Sequence, residues 1–276
     1  MSGPDRHGLV PPRPAEPGRL ERHLRAARDR GRKLLVPYVT GGLGPDWVDV
    51  LRACVDAGAD ALEVGIPFSD PVMDGPTVQA ASQRSLAAGT TPRSVLAGIA
   101  RSGVDVPVGV MTYDNLVERA GTRRMAEEMA AAGVAAAILP DLPLEEAGPW
   151  MADADAAGVE TVLLAAPTTP PERLARLVAR SRGFLYAVGV LGVTGERAAL
   201  ATSALEIAAR CKAATDLPVL VGVGVSDADQ ARKVCAVADG VVVGSALVRR
   251  LLEGAGPEGA GAFVAELRAA LDEAGA

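Results

Sequence analysis

Short apolar segments alternate with longer segments of helical periodicity along most of the chain. Three stretches show the same order of a helix end, a glycine, one or two small residues and an apolar strand: DAGADALEV at 56–64, AAGVAAAIL at 131–139 and DAAGVETVLL at 155–164. Glycine suits the left-handed conformation that ends a helix. The repeat therefore predicts successive α/β units, and alternation of this kind is typical of a parallel sheet.

The alternation continues along the chain and predicts eight strands in a single domain. The predicted strands lie at 34–39, 61–64, 106–111, the apolar ends of 131–139 and 155–164, 184–187, 219–222 and 240–243. The predicted helices cover 45–57, 121–132, 144–157, 171–181, 201–215 and 226–236, with one capped by Thr77 and running through Leu86, and a last one after Ser245. Eight units in about 250 residues are typical of a closed (β/α)8 TIM barrel, an α/β fold. An open doubly wound sheet is the alternative, but the sequence lacks the Gly-rich dinucleotide fingerprint usual in such sheets.

The first 17 residues have a different character. Prolines stand at positions 4, 11, 12, 14 and 17. This composition predicts a disordered tail over 1–17 that takes no part in the fold, with the barrel domain spanning 18–276. A short charged helix at 19–30 is expected to cover the floor of the barrel.

The composition excludes several classes of protein. A net charge of −6 and a pI of about 5.1 argue against a nucleic-acid-binding surface. The sequence shows no secretion leader and no long apolar run, so we expect a cytoplasmic protein that does not bind membranes. The three cysteines fall in helical patterns, with a spacing that suits neither a metal site nor a redox pair. We therefore expect them to be free thiols.

The positions of histidine and lysine narrow the candidate chemistry further. The two histidines, His7 and His23, precede the first predicted strand, and Lys33, Lys212 and Lys233 lie outside the predicted strands. A His-ligated metal or a Ser-His-Asp triad in the barrel is therefore excluded, and a Schiff-base or pyridoxal phosphate lysine is disfavoured. If the barrel is an enzyme, carboxylates and a tyrosine must carry its chemistry.

The stretch ALEVGIPFSDPVMDGPTVQ at 61–79 contains the candidate carboxylates. Because side chains alternate along a strand, Glu63 faces the side opposite its two apolar neighbours. A buried, unpaired charge is costly, so Glu63 is either a salt-bridged structural residue or a functional acid. The following loop brings Asp70 and Asp74 to the same rim, the end of the barrel at which the strands finish. This favours a catalytic carboxylate at the mouth of the barrel.

The turns after the sixth, seventh and eighth predicted strands are rich in glycine. They contain Gly195 in GVTG, Gly224 in GVGVS, and Gly244 with Ser245 before a helix. Glycine lets backbone N–H groups approach an anion, and a helix N-terminus adds a favourable dipole. A phosphate site in this part of the rim is usual in TIM barrels. Tight turns without a ligand are the alternative.

Several motifs in this order resemble the tryptophan synthase alpha chain family. They are VPYVTGG near the start, the long stretch LEVGIPFSDPVMDGPT, the loop with Tyr113 and Asn115, and then PDLP, GVTG, GVGVS and GSA. The resemblance covers about residues 20–270. It implies a lyase of L-tryptophan biosynthesis that cleaves indole-3-glycerol phosphate to indole and D-glyceraldehyde-3-phosphate by a retro-aldol route, without a cofactor.

The resemblance also implies roles for individual residues. It assigns the catalytic glutamate to Glu63 and the catalytic aspartate to Asp74, with Tyr186 near the active site. It implies an indole pocket formed by Tyr38, Met111, Tyr113, Ile138 and Pro140.

The family implies a partner as well. Asp70 and Asn115 resemble positions that face a beta subunit, so we expect an α2β2 heterotetramer with the tryptophan synthase beta chain. The segment from Val193 to Ala201, with Gly195 and Arg197, has the character of a mobile lid. Two alternatives stay open at this point: a freestanding indole-3-glycerol phosphate lyase of a secondary pathway, and a non-catalytic phosphate-binding regulatory barrel.

Overall fold

Eight parallel strands form a closed barrel in the computed structural model, which describes residues 10–189, 197–222 and 224–273, and the side chains from 202 onward in the second of these ranges. The strands pair in chain order, and β8 pairs with β1 to close the barrel. Their bounds are β1 Leu34–Thr40, β2 Leu62–Gly65, β3 Val108–Met111, β4 Val134–Ile138, β5 Glu160–Ala165, β6 Leu185–Ala187, β7 Val219–Val221 and β8 Gly240–Val243. The predicted TIM barrel is confirmed.

Helices surround the barrel and cover its floor. Their bounds are α1 Arg19–Arg28, α2 Trp47–Asp56, α3 Pro76–Ala87, α4 Pro92–Ser102, α5 Asp114–Ala120, α6 Thr122–Ala131, α7 Gly148–Ala157, α8 Pro171–Arg180, α9 Arg197–Ala214, α10 Ala228–Cys235, α11 Ser245–Leu252 and α12 Gly256–Glu273. Helix α9 begins at Arg197, so the end of the segment expected to be a loop is helical.

The strands separate two apolar layers, as their alternation requires. Leu62 and Val64 face outward and pack in the layer between the barrel and its helices. Tyr38, Ile138 and Tyr186 face inward and belong to the layer that fills the barrel. Glu63 therefore points into the barrel, as predicted.

The start of α3 differs from the prediction. Thr77 does not cap this helix, because Gly75 occupies the N-cap position and Pro76 the first turn. Proline has a fixed φ angle that suits the first turn, and it has no N–H that needs an acceptor. Helix α4 was not predicted, although Thr91 and Ser94 form a capping box at its start that is visible in the sequence.

Part of the N-terminal segment contacts the barrel. Residues 10–17 form no helix or strand, but Val10 packs against the outer apolar layer. Arg13 donates hydrogen bonds at 2.6 Å to both carboxylate oxygens of Glu21, in α1. The sequence did not predict these contacts, and residues 1–9 lie outside the described ranges.

The described part of the chain contains no helix that is long and apolar enough to cross a membrane. It also contains no group of three or more His, Cys, Asp or Glu residues arranged to bind a metal ion. The three cysteines are buried free thiols.

Candidate active site

Glu63 lies inside the barrel, near the end of β2, and is only 2 % exposed. Its Oε2 atom is buried and has no hydrogen-bond partner in the described part of the chain. Burial and then the charge on Asp74 raise the pKa of Glu63 to about 8. No salt bridge within the described ranges involves Glu63, so the purely structural role considered for it lacks its expected partner.

Asp74 lies in the loop between β2 and α3 and is partly buried. Burial raises its pKa, and a hydrogen bond with the Tyr113 hydroxyl offsets part of this effect. The same hydroxyl accepts a hydrogen bond from the backbone N–H of Met73 at 3.2 Å, and Gln79 Nε2 donates to the Asp74 carbonyl at 2.7 Å. These contacts hold Asp74 close enough to Glu63 that the charge on Asp74 raises the pKa of Glu63.

Two buried tyrosines stand beside Glu63. Tyr38 is its register partner on β1, and Tyr186 lies on β6 with its ring against the backbone of Gly222, where a β-carbon would lie 1.8 Å from the ring. Burial, followed by the charge on Glu63, raises the pKa of Tyr186 well above its usual value. Both phenols are therefore neutral hydrogen-bonding groups next to an acid.

The remaining residues expected in the indole pocket lie on β3, β4 and their loops. Met111 and Ile138 are register partners on the inner face, and Pro140 follows β4 at the rim. Tyr113 is buried after β3, and its ring centroid lies 5.1 Å from that of Phe68. Phe68 was not predicted as a pocket residue, although an aromatic residue in a loop after a barrel strand is a signal for one.

Three of the four residues expected to bind phosphate, Gly224, Gly244 and Ser245, lie in the described ranges. Gly224 is exposed, with φ +80°, and Gly244 is the N-cap of α11, with Ser245 as its first residue. The first N–H groups of a helix have no acceptor within it, so the start of α11 presents donors at the rim beside β1 and β8. Gly195, the remaining residue expected to bind phosphate, lies outside the described residues.

The two residues expected to contact a partner are both exposed at the rim. Asp70 accepts a hydrogen bond from the Ser69 hydroxyl at 2.5 Å, and Asn115 lies in the first turn of α5. Val72 and Met73, in the same loop as Asp70, are 79 % and 43 % exposed. This part of the rim therefore combines polar and apolar groups in contact with solvent.

Asp141, the acid of the PDLP motif, does not join the two candidate carboxylates. Its side chain accepts a hydrogen bond from the backbone N–H of Asp114 at 3.0 Å. It thereby links the loop after β4 to the start of α5.

Known proteins are similar in sequence and in fold to most of this chain. Residues 24–273 match the family model described as tryptophan synthase alpha chain. The tryptophan synthase alpha chain of Streptomyces coelicolor is 43 % identical over 252 residues, which are 88 % of this chain and 93 % of that relative. The alpha chain of Alkalilimnicola ehrlichii is 47 % identical over 238 residues, with 84 % and 87 % of the two chains covered.

A solved structure of tryptophan synthase from Mycobacterium tuberculosis is similar in its backbone as well. It superposes with a TM-score of 0.84 at 40 % sequence identity, covering 93 % of this chain and 99 % of that one. These similarities do not favour a freestanding lyase or a non-catalytic regulatory barrel. The chain belongs to the tryptophan synthase alpha chain family, whose members are lyases of tryptophan biosynthesis.

Proposed function

We propose that Glu63 and Asp74 carry out the cleavage of indole-3-glycerol phosphate to indole and D-glyceraldehyde-3-phosphate. The observation that supports this most directly is the environment of Glu63. It is a buried acid inside the barrel, with a pKa of about 8 and an unpaired Oε2 atom, next to a second carboxylate. A group with such a pKa can both give and accept a proton near neutral pH.

Glu63 starts the reaction in its protonated form. It donates its proton to C3 of the indole ring, and the ring becomes positively charged. The ionised Asp74 carboxylate accepts the indole N–H and stabilises that charge, an electrostatic effect that a poorly hydrated site strengthens. Asp74 is held for this role by the loop contacts with Tyr113 and Gln79.

Bond cleavage then returns Glu63 to its starting form. The glycerol hydroxyl next to the ring loses its proton to the Glu63 carboxylate, the bond between C3 and the glycerol carbon breaks, and its electron pair neutralises the ring. The products are indole and an aldehyde, and no proton is gained or lost overall. Tyr186 supports the reaction as a neutral phenol beside Glu63.

The inner face of the barrel has the character required by the indole ring. Tyr38, Met111, Tyr113, Ile138 and Pro140 combine aromatic and apolar surface, which suits a flat bicyclic ring. We propose that the substrate phosphate binds at Gly195, Gly224, Gly244 and Ser245. The start of α11 supports this, because unpaired N–H groups and the helix dipole favour an anion.

We also propose that the chain works in the cytoplasm as the alpha subunit of an α2β2 heterotetramer with a tryptophan synthase beta chain. Asp70 and Asn115 would contact the beta chain. The exposed side chains of Val72 and Met73 next to Asp70 support this proposal, because two apolar groups in contact with water favour burial by a partner.

Indole release from purified protein tests the catalytic proposal. Glu63→Gln keeps the shape of the side chain but can neither donate nor accept the proton, so we expect the rate to fall by about 10²–10⁴-fold. A matched control is Glu127→Gln, an exchange on the exposed side of α6. A Glu63→Gln protein that retains half the wild-type rate would contradict the assignment.

A further inference from the structure

The hydroxyl of Tyr38 lies against Gly65, two residues after Glu63 on β2. The Tyr38 ring is buried, with 6 % of the residue exposed, and leans from β1 toward β2. A β-carbon on Gly65 would lie 2.0 Å from the Tyr38 hydroxyl oxygen. Gly65 is two residues after Glu63, so both face the inside of the barrel. The Tyr38 hydroxyl therefore stands where the next inward side chain after Glu63 would be.

Other polar oxygens surround this place. Thr40 is the register partner of Gly65 and is completely buried, and its Oγ1 atom has no hydrogen-bond partner in the described part of the chain. It lies next to the Tyr38 hydroxyl. Glu63 Oε2 is unpaired in the same region. Buried polar atoms of this kind are costly unless substrate, water or a side-chain movement satisfies them.

The groups that act electrostatically on the two acids are themselves acids and phenols. The charge on Asp74 raises the pKa of Glu63. The charge on Glu63 in turn raises the pKa values of Tyr38 on β1 and Tyr186 on β6. The hydrogen bond with the Tyr113 hydroxyl lowers the pKa of Asp74 and offsets part of the effect of burial. Burial, followed by the charges on Asp74 and Glu63, raises the pKa of Tyr38 well above its usual value, which keeps its hydroxyl proton available for donation.

We propose that Tyr38 is a positioning residue whose hydroxyl, seated against Gly65 and supported by Thr40, donates a hydrogen bond toward Glu63 and Asp74 and stabilises the state in which the two acids share one negative charge. The inference rests on the proposed function, which requires that Glu63 be protonated while Asp74 is ionised. Two nearby carboxylates titrate as a pair, and a hydrogen-bond donor beside them favours their singly charged state over the fully protonated one.

Tyr38→Phe tests this inference, because it removes the hydroxyl and keeps the ring in the indole pocket. We expect the acidic limb of the profile of kcat/KM against pH to move upward by about one pH unit. We expect kcat at neutral pH to fall by up to about tenfold, with KM changed by less than about twofold. A residue that only shaped the pocket would change KM and leave the pH profile in place.

Two threonines provide a matched pair of variants. Thr40→Val removes the supporting hydroxyl and should move the profile in the same direction by a smaller amount. Thr112→Val also removes a buried hydroxyl without a described partner, just after β3. By alternation after the inward-facing Met111, Thr112 points away from the barrel interior, so its profile should match that of the wild type.

A titration without substrate separates this inference from the proposed reaction. Aspartate labelled with ¹³C at the side-chain carboxyl group, with Asp74→Asn to identify the signal, reports the ionisation of Asp74 directly. Tyr38→Phe should raise the pH at which Asp74 titrates, because the singly charged state of the pair loses its hydrogen-bond donor. If the wild type releases no indole, the proposed function is wrong, and the titration still decides the role of Tyr38. Superimposable titrations of wild type and Tyr38→Phe would overturn the inference.

Discussion

The carboxylate of Glu160 accepts a hydrogen bond from the backbone N–H of Leu20 at 2.6 Å, although the two residues are 140 positions apart. Glu160 begins β5, inside the floor of the barrel, and Leu20 lies in the first turn of α1. A second bond, of 3.2 Å, comes from the N–H of Glu21. Glu160 thus accepts hydrogen bonds from two N–H groups at the start of α1, whereas Glu63, at the opposite end of the barrel, has an oxygen without a partner in the described part of the chain. This contrast separates a structural acid from a candidate catalytic one.

Replacing Glu160 should destabilise the protein. Glu160→Ala leaves two buried N–H groups at the start of α1 without acceptors, and we expect the free energy of unfolding to fall by about 2–4 kcal/mol. Urea denaturation measures the change. Glu160→Gln is the matched control, because its amide oxygen still accepts one bond, and its loss should be smaller. Equal stability of Glu160→Ala and wild type would show that α1 does not depend on this contact.

The rate of indole formation should fall at high pH. The pKa of Glu63 is about 8, so the acid is protonated at neutral pH and loses its proton as the pH rises through that value. Because the proposed first step needs the protonated form, we expect the rate to decline about tenfold per pH unit above pH 8. Initial rates at substrate concentrations well below KM, which report kcat/KM and therefore the enzyme without substrate, provide the measurement across the pH range. If the rate already declines as the pH rises through the ordinary pKa of a glutamate, well below 8, Glu63 does not have this role.

Glu63→Gln should stabilise the fold, increasingly so as the pH rises. The folded-state pKa of Glu63 lies above its ordinary value, so between the two the folded protein holds a proton that the unfolded chain releases. Wild-type stability therefore falls as the pH rises through this window. Glutamine has no such dependence, and its advantage should reach on the order of a few kcal/mol at about pH 8. Urea denaturation at about pH 5 and about pH 8 tests this, and an advantage independent of pH would contradict it.

A negative charge at the start of α11 should weaken binding of the phosphorylated substrate. Ser245→Asp places a carboxylate at the proposed phosphate site, and repulsion should raise KM by about tenfold or more. Ser245→Ala removes the hydroxyl without adding charge and serves as the control, with a much smaller effect expected. Steady-state kinetics at constant ionic strength compare the two variants. An unchanged KM for Ser245→Asp would place the phosphate elsewhere.

A beta subunit should accelerate the isolated chain. The loop with Asp70 also contains Asp74, so docking at the exposed Val72 and Met73 can favour the arrangement in which Asp74 is placed for catalysis. We expect the two chains to co-elute and indole formation at saturating substrate to increase when a tryptophan synthase beta chain is added. A chain that is already fast alone and does not respond to the partner would favour the freestanding lyase.

The sequence by itself determined the barrel architecture and the inward orientation of the Glu63 side chain. Short apolar strands between helical segments predict the barrel, because each α/β unit must bury its strand against its neighbours. Alternation along β2 turns Glu63 inward, since its apolar neighbours must face the helices. Local capping was predicted less well, because the choice of Gly75 over Thr77 as N-cap depends on how the rim loop approaches α3.

Only the tertiary structure decided which polar groups meet. The contact of the Tyr38 hydroxyl with Gly65 depends on the register between β1 and β2, and the bonds from Leu20 and Glu21 to Glu160 join the first helix to the fifth strand. Each of these contacts forms between segments that the chain separates, and barrel closure sets their distance and their shared burial. The pKa of Glu63 follows from that burial. The sequence therefore determined which side chains enter the barrel, whereas closure of the barrel determined which of them find a partner.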